Sequence, residues 1–502
     1  MDNEKMTLNK SLKTEENQSF IEPTNTMNLE IGDQSPFLPM KQQTSSYFSP
    51  IVRRTLFQAF IFILTFCNYA VLHTTRAAWS NATPQIKTLY SFDSKLISYM
   101  NSSFLFCYAM MGIFSGHLAD KYKKNRFIII AYTLIGINVI CVGCLQYINK
   151  DHQQIWLYFL LRIIDGTLQS IGWATNLAVL SNWFPKHGRG LLIGFWASNA
   201  NVGDIIGAQI YKSVINADNT NWGTGIIIVG ALVVVFGIIN FLFLIEYPQS
   251  MGIVIQEESH LFQQVQQTTQ EKQEQKSINF LDALLIPGVL IFSICFFFIK
   301  FSMYGFYYWL PDYIQFGLGY DKNTSVNIFS LFSTGSIVGN ILMGTATDFL
   351  PYRSPVFLIG TALATALTLA LTLWDNHAVA IISAFMFLLG GSLSGSTIVI
   401  AAIECDLGKQ QALRNNSKAL ATVSGIIDGI AGFGSILGQI LIGIVKDASG
   451  WRATFAMLTV ATGLSCVPSA WFIVREYKEW KEKKAEESRK LKQSTLNQQC
   501  DL

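Results

Sequence analysis

A histidine and an arginine three residues apart, His73 and Arg76 in the segment His-Thr-Thr-Arg, stand at the far end of the first long apolar run, Arg54 to Trp79. Residues at this spacing share one helical face. An arginine inside hydrocarbon or at its edge costs roughly 2.5–3.5 kcal/mol on insertion scales, so something other than lipid must surround it. The face bearing His73 and Arg76 reads as one wall of a cavity for an anion; the alternative is an arginine snorkelling to the headgroups. Farther along, Asp165, Gln169, Trp173 and Asn176 recur at helical spacing and give another apolar run a polar, aromatic stripe. Asp165 could pair with Arg76, bind a proton during turnover, or satisfy a neighbouring helix, and Asp204 carries the same three alternatives.

The elements that must position these residues are apolar blocks. The chain has 502 residues, 50% of them hydrophobic and 14% charged, with mean hydropathy +0.33. That composition, delivered in blocks, describes an all-α polytopic membrane protein embedded in a lipid bilayer. A formal charge of +3, scattered along the chain, excludes a nucleic-acid partner. The cysteines lie mostly inside apolar runs, so no disulfide framework is expected, and Cys141-Val-Gly-Cys144 reads as packing. No HExxH, P-loop or nucleophile elbow occurs in a suitable context. No enzyme activity, cofactor or metal is therefore expected.

Runs long enough to cross a bilayer fall near 55–79, 96–116, 127–149, 155–181, 190–213 and 223–246, then near 284–311, 325–347, 355–374, 377–403, 417–446 and 452–474. This predicts twelve transmembrane helices. The layout is a cytosolic disordered tail over 1–50, a six-helix bundle over 51–246, a Gln/Glu/Lys-rich cytosolic linker over 247–283, a second bundle over 284–475 and a cytosolic tail over 476–502. Arg53, Arg54, Lys121, Lys123, Lys124, Arg126, Lys186 and Arg189 all fall on one side with the basic C-terminal segment, which makes that side cytosolic. The opposite loops hold the sequons at Asn81 and Asn323, predicting a glycoprotein if that side is lumenal or extracellular. Glu404 and Asp406 end the tenth run and are expected at a surface or gate.

The halves repeat. Gly116-His-Leu-Ala-Asp120-Lys121 follows the second run, and Gly344-Thr-Ala-Thr-Asp348 follows the eighth at the same relative place, with Phe349 where the first copy has a lysine. In this Gly-x-x-x-Asp-(Arg/Lys) loop, repeated across six-and-six halves, the chain resembles the major facilitator superfamily, whose halves are related by an axis along the membrane normal. In such a loop glycine permits close helix approach and aspartate caps or pairs as the halves rock. The same interval carried from Arg76 lands on Tyr304 in the seventh run. Lys300 and Tyr307 share a face with Tyr304, presenting a cation and two hydroxyls across a central cavity. Lys300 could instead pair with a carboxylate such as Asp428.

Gly172-Trp173, Asn182-Trp183-Phe184, Arg189-Gly190, Trp196, Asn201-Val-Gly203, Tyr247-Pro-Gln-Ser250 and Tyr308-Trp309-Leu310-Pro311 resemble the organophosphate:phosphate antiporters. Phe104-Leu-Phe-Cys-Tyr108, Asp406-Leu-Gly408 and residues 419–429 bring the chain closest to the sugar phosphate exchangers, solute carrier family 37, over about residues 55–475. The resemblance implies a monomeric antiporter that exchanges an organophosphate for inorganic phosphate in the endoplasmic reticulum, another endomembrane or the plasma membrane. It maps a first-span phosphate ligand onto His73 and Arg76. The family's following basic residue is absent at Ala77, a fifth-span histidine is replaced by Asn199 or Ala200, and Asp165 and Asp204 stand where relatives usually have asparagine. These departures make the pocket less positive. A proton-coupled organic anion symporter and a non-transporting sensor or scaffold remain the other readings.

Overall fold

The computed structural model describes residues 49–121, 124–148, 154–184, 189–215, 221–253, 283–350, 352–374, 378–408 and 417–500. The predicted N-terminal tail and most of the linker lie outside them. So do the side chains of Gly116, Asp120 and Lys121, whose backbone is helical.

The described chain is helical, as a lipid-facing backbone requires, because every N–H and C=O must be satisfied within the segment. The helices are α1 (Pro50–Tyr90), α2 (Ser94–Lys121), α3 (Lys124–Ile148), α4 (Ile155–Gln169), α5 (Ile171–Trp183), α6 (Arg189–Trp196), α7 (Asn199–Val214) and α8 (Trp222–Phe243) in the first half. The second half holds α9 (Val289–Asp312), α10 (Lys322–Phe349), α11 (Ser354–Leu373), α12 (Val379–Gly408) and α13 (Ser417–Cys500). Eight described stretches are long and apolar enough to cross a membrane unaided. The fourth crossing is split into α4 and α5 at Ser170, the fifth is split into α6 and α7, and α13 holds the last two crossings joined at Gly450, where φ is 75°. With these joins the passes are twelve among the described residues.

Polarity is inverted relative to a water-soluble fold. Ile130, Leu134 and Ile137 are exposed along α3, as are Ile359 and Leu363 on α11, while Asn68, Asn176, Asn240 and Gln439 are fully buried. Lipid solvates the first set, and hydrogen bonds among helices satisfy the second.

The internal repeat is visible in the packing. Helix α1 lies on α7 as α9 lies on the first part of α13; α2 lies on α4 as α10 lies on α12; α3 lies on α8 as α11 lies on the last crossing. The halves meet through α2 against α13 and α7 against α10.

Two expectations are corrected. Helix α1 has 41 residues and runs through Pro84, so it carries Asn81 inside the bundle, 1% exposed, with its amide donating to the Ala77 carbonyl at 2.9 Å. A buried helical asparagine cannot receive a glycan; Asn323, on the first turn of α10, is exposed. Glu404 is buried rather than at a surface, and accepts a hydrogen bond from Ser424.

On the face opposite the termini the halves are closed. Asp312, 1% exposed, lies 2.7 Å from Lys87 and 3.0 Å from Lys446, one lysine from each half. Both ammonium groups lie over the Trp309 ring, and Gln85 donates to Gln315 at 2.9 Å. Ser80 donates to the Tyr307 carbonyl and Ser98 to the Gln439 carbonyl. Toward the termini, Asp428 is exposed, and a Cβ added at Gly425 or Gly429 would meet nothing within 4 Å. The bundle is thus sealed at one end and less tightly packed around Asp428 toward the other. Breaking a buried ion pair costs about 3–5 kcal/mol. Asp312→Asn is therefore expected to speed maleimide labelling of a Ser80→Cys reporter from the sealed face at least tenfold, in a cysteine-free background; equal rates would contradict the seal.

Candidate substrate site

Helix α1 is central, and two close approaches bring the polar residues of its neighbours onto it. A Cβ at Gly203 would land on the Ala70 carbonyl of α1, so only glycine lets α7 come this near, and Asp204 is thereby set beside His73. A Cβ at Gly166 would likewise strike the Phe104 carbonyl of α2, and this contact draws α4, with Arg162, Asp165 and Gln169, toward α2 and α1.

Arg76 is 3% exposed. Its Nε donates to Gln169 Oε1 at 2.7 Å, and its guanidinium lies 4.6 Å from the Tyr108 ring and 5.2 Å from the Phe104 ring. Nη2 has no acceptor, and no carboxylate comes within ion-pair distance of Arg76 among the described residues. Arg76 therefore does not snorkel: it is buried in the protein, with aromatic faces and one amide as its partners. Tyr304 and Tyr308 of α9, together with Tyr69 and Tyr108, are within its electrostatic reach.

Asp165 does not pair with Arg76. It accepts from Arg162 Nη1 at 3.0 Å and from Gln169 Nε2 at 2.7 Å, so Gln169 links the Arg162–Asp165 pair to Arg76 and also reaches Thr75 at 3.0 Å. Asp204 joins the halves: His73 Nδ1 lies 3.1 Å from its Oδ1, and the Tyr307 hydroxyl of α9 donates to the same oxygen at 2.6 Å. Trp173 packs edge-on to Tyr69 at 5.2 Å and against Trp196 at 5.1 Å.

Lys300 donates to Asp428 Oδ1 at 2.9 Å, which is the pairing held open from the sequence, and it lies over the Phe296 ring. Tyr304 is within electrostatic reach of both Arg76 and Lys300. Asn199 is fully buried with neither amide atom bonded, and no contact joins it to Arg76. At the second loop motif, Gly344 is loosely packed and Asp348 is exposed.

Two residues of this region, Arg162 and Gln439, escaped the sequence reading, and Tyr108 entered it only as part of a family-like motif. Arg162 carried the same signal as Arg76, a cation within an apolar run. Gln439, whose Oε1 accepts from Trp309 and whose Nε2 donates to the Tyr304 carbonyl, carries no charge to betray it.

The sequence matches the profile of the Major Facilitator Superfamily over residues 61–415 and 327–499. A glucose-6-phosphate exchanger of Bos taurus is 28% identical over 478 residues, covering 85% of this chain and 96% of that protein. The human sugar phosphate exchanger 3 is 28% identical, covering 83% and 92%, and a putative glycerol-3-phosphate transporter of Arabidopsis thaliana is 29% identical, covering 81% and 89%. The likeness to sugar phosphate exchangers read from the motifs thus extends over most of the chain. Among solved structures, a bacterial homologue of the human lysosomal transporter Spinster, inward-facing and unoccupied, matches with TM-score 0.59 at 13% identity, covering 83% of this chain and 95% of that one. At this identity the likeness speaks for the fold alone.

A hydrogen bond to a charged group contributes about 1.5–3 kcal/mol. Tyr307→Phe removes the hydroxyl that joins α9 to Asp204, and is expected to lower the melting temperature of the detergent-solubilised protein by ~1–3 °C. An unchanged melting temperature would mean that the two halves are not joined there.

Proposed function

Because the chain belongs to the Major Facilitator Superfamily and is accordingly an integral, multi-pass membrane transporter, we propose that it exchanges a phosphorylated sugar or related organophosphate for inorganic phosphate by alternating access. The single observation that carries this reading is the Arg76 guanidinium, buried, within electrostatic reach of the α9 tyrosines, and without a carboxylate at ion-pair distance among the described residues. A buried cation left unpaired is costly, and an anion entering from the less tightly packed end would relieve that cost. The names of the relatives supply the class of anion: a glucose-6-phosphate exchanger, a sugar phosphate exchanger and a putative glycerol-3-phosphate transporter.

In the proposed cycle, Arg76 grips phosphoryl oxygens through its free Nη2 edge, and Tyr304 donates from the opposite half. Lys300 contributes field rather than direct contact while Asp428 holds it. Gln169 fixes the Arg76 guanidinium in place, and Trp173 with Tyr69 offers aromatic surface beside the sugar. Neutralising Arg76 lets the halves close over the anion as the Lys87–Asp312–Lys446 seal opens, whereas an empty cationic site resists reorientation. Obligatory exchange is the consequence. The Gly116-Asp120-Lys121 and Gly344-Asp348 segments, at the ends of α2 and α10, serve as hinges between states, and the transport unit is one chain.

Asp204, held between His73 and Tyr307, favours a second reading in which a proton moves with the anion. Symport of this kind would let a pH gradient alone drive phosphate uptake into proteoliposomes lacking internal phosphate; exchange predicts no uptake under that condition. For the leading reading, Arg76→Ala is expected to slow counterflow of labelled phosphate at least thirtyfold, equivalent to ~2 kcal/mol. Counterflow at the parent rate would overturn the mechanism.

A further inference from the structure

We propose that Arg162 is a second anion-binding arginine of this site, and that the occupant it selects is a tetrahedral oxyanion rather than a carboxylate. The inference rests on the anion-exchange reading above and assigns a residue that reading did not use.

Arg162 is 2% exposed on α4. Asp165 engages only Nη1; Nε and Nη2 are buried and have no acceptor. Nε and Nη2 form the side edge of the guanidinium, two parallel donors spaced to match two oxygens of one anion. A carboxylate serving purely to neutralise Arg162 would gain most from that fork, yet Asp165 takes a single arm and gives its other oxygen to Gln169.

The unused edge lies near Arg76. The Arg162 guanidinium lies 4.3 Å from the Phe104 centroid and 4.8 Å from the Trp79 ring, while that of Arg76 lies 5.2 Å from the same Phe104 centroid. One ring therefore serves both cations, and their guanidinium carbons are less than 10 Å apart. The Tyr308 hydroxyl is buried, makes no hydrogen bond of good geometry and lies beside Arg162, with Arg76 also within electrostatic reach. Arg76, Arg162 and Asp165 together keep one net positive charge, so an anion is attracted.

Arg76 Nη2 and Arg162 Nε and Nη2, which have no acceptor, and the Tyr308 hydroxyl beside Arg162 come from α1, α4 and α9. Donors arriving from three helices approach from different directions. A carboxylate offers its lone pairs in a single plane, whereas the three free oxygens of a phosphoryl group spread over a tetrahedral face.

The test is equilibrium binding of radiolabelled inorganic phosphate to the purified full-length protein, on monodisperse fractions. Arg162→Lys keeps the charge beside Asp165 and loses the fork. The double variant Arg162→Gln with Asp165→Asn removes both charges, so no buried carboxylate is left unpaired. Both are expected to weaken phosphate binding at least tenfold, and sulfate but not acetate should compete in the parent. A double variant binding within twofold of the parent shows a purely structural pair and overturns the proposal. If Arg76→Gln weakens binding while both Arg162 variants do not, the exchange reading stands and this one falls; a parent that does not bind phosphate overturns both.

Discussion

The fold is arranged around a positive charge that, among the described residues, has no carboxylate paired with it. Arg76 lies inside the bundle, stacked on Tyr108 and Phe104 and tied by one nitrogen to Gln169. Proteins ordinarily neutralise a buried cation with a carboxylate, and Arg162 follows that rule with Asp165, while the partly exposed Lys300 is paired with the exposed Asp428. Arg76 does not follow it. Aromatic faces stabilise a guanidinium only in part, by about 0.5–2 kcal/mol, and in the proposed function an anion supplies the remainder.

The neighbouring carboxylates then take on distinct tasks. Asp165 is tied through Gln169 to the cationic centre, where it limits the net charge and so keeps the empty site tolerable. Asp204 instead holds α1 to α9 through His73 and Tyr307, across the seam between the halves. Asp312 holds the far end shut between two lysines of opposite halves. A charge change near Arg76 thus adjoins one inter-half bond directly, at Asp204, and a second lies farther along the same helix pair, because Lys87 and Asp312 are on α1 and α9. That proximity is a physical route by which occupancy could alter which end of the bundle is open.

Much of this was legible in the sequence because membrane helices announce themselves by length and apolarity, and because a charge within such a run has few places to go. His73, Arg76, Asp165 and Gln169 were found that way. Pairings were less legible: Asp165 turned to Arg162 three residues away, and the Lys300–Asp428 pair stood only as an alternative, because the choice among carboxylates depends on helix rotation and crossing. The Asn81 sequon misled because α1 continues through Pro84, where a loop was expected after Trp79. The breaks at Ser170 and between α6 and α7 left no hydropathy signal. Nor did the glycine contacts at Gly166 and Gly203, which require knowing which helix lies opposite.

The most direct measurement is an experimental structure of the protein equilibrated with inorganic phosphate. Arg76 should be found with its Nη2 edge within hydrogen-bond distance of phosphoryl oxygens, with α9 tyrosines on the other side of the anion. Phosphate bound elsewhere while Arg76 keeps only its aromatic and Gln169 contacts, or an Arg76 guanidinium turned out into the acyl chains, would contradict a site organised by this charge.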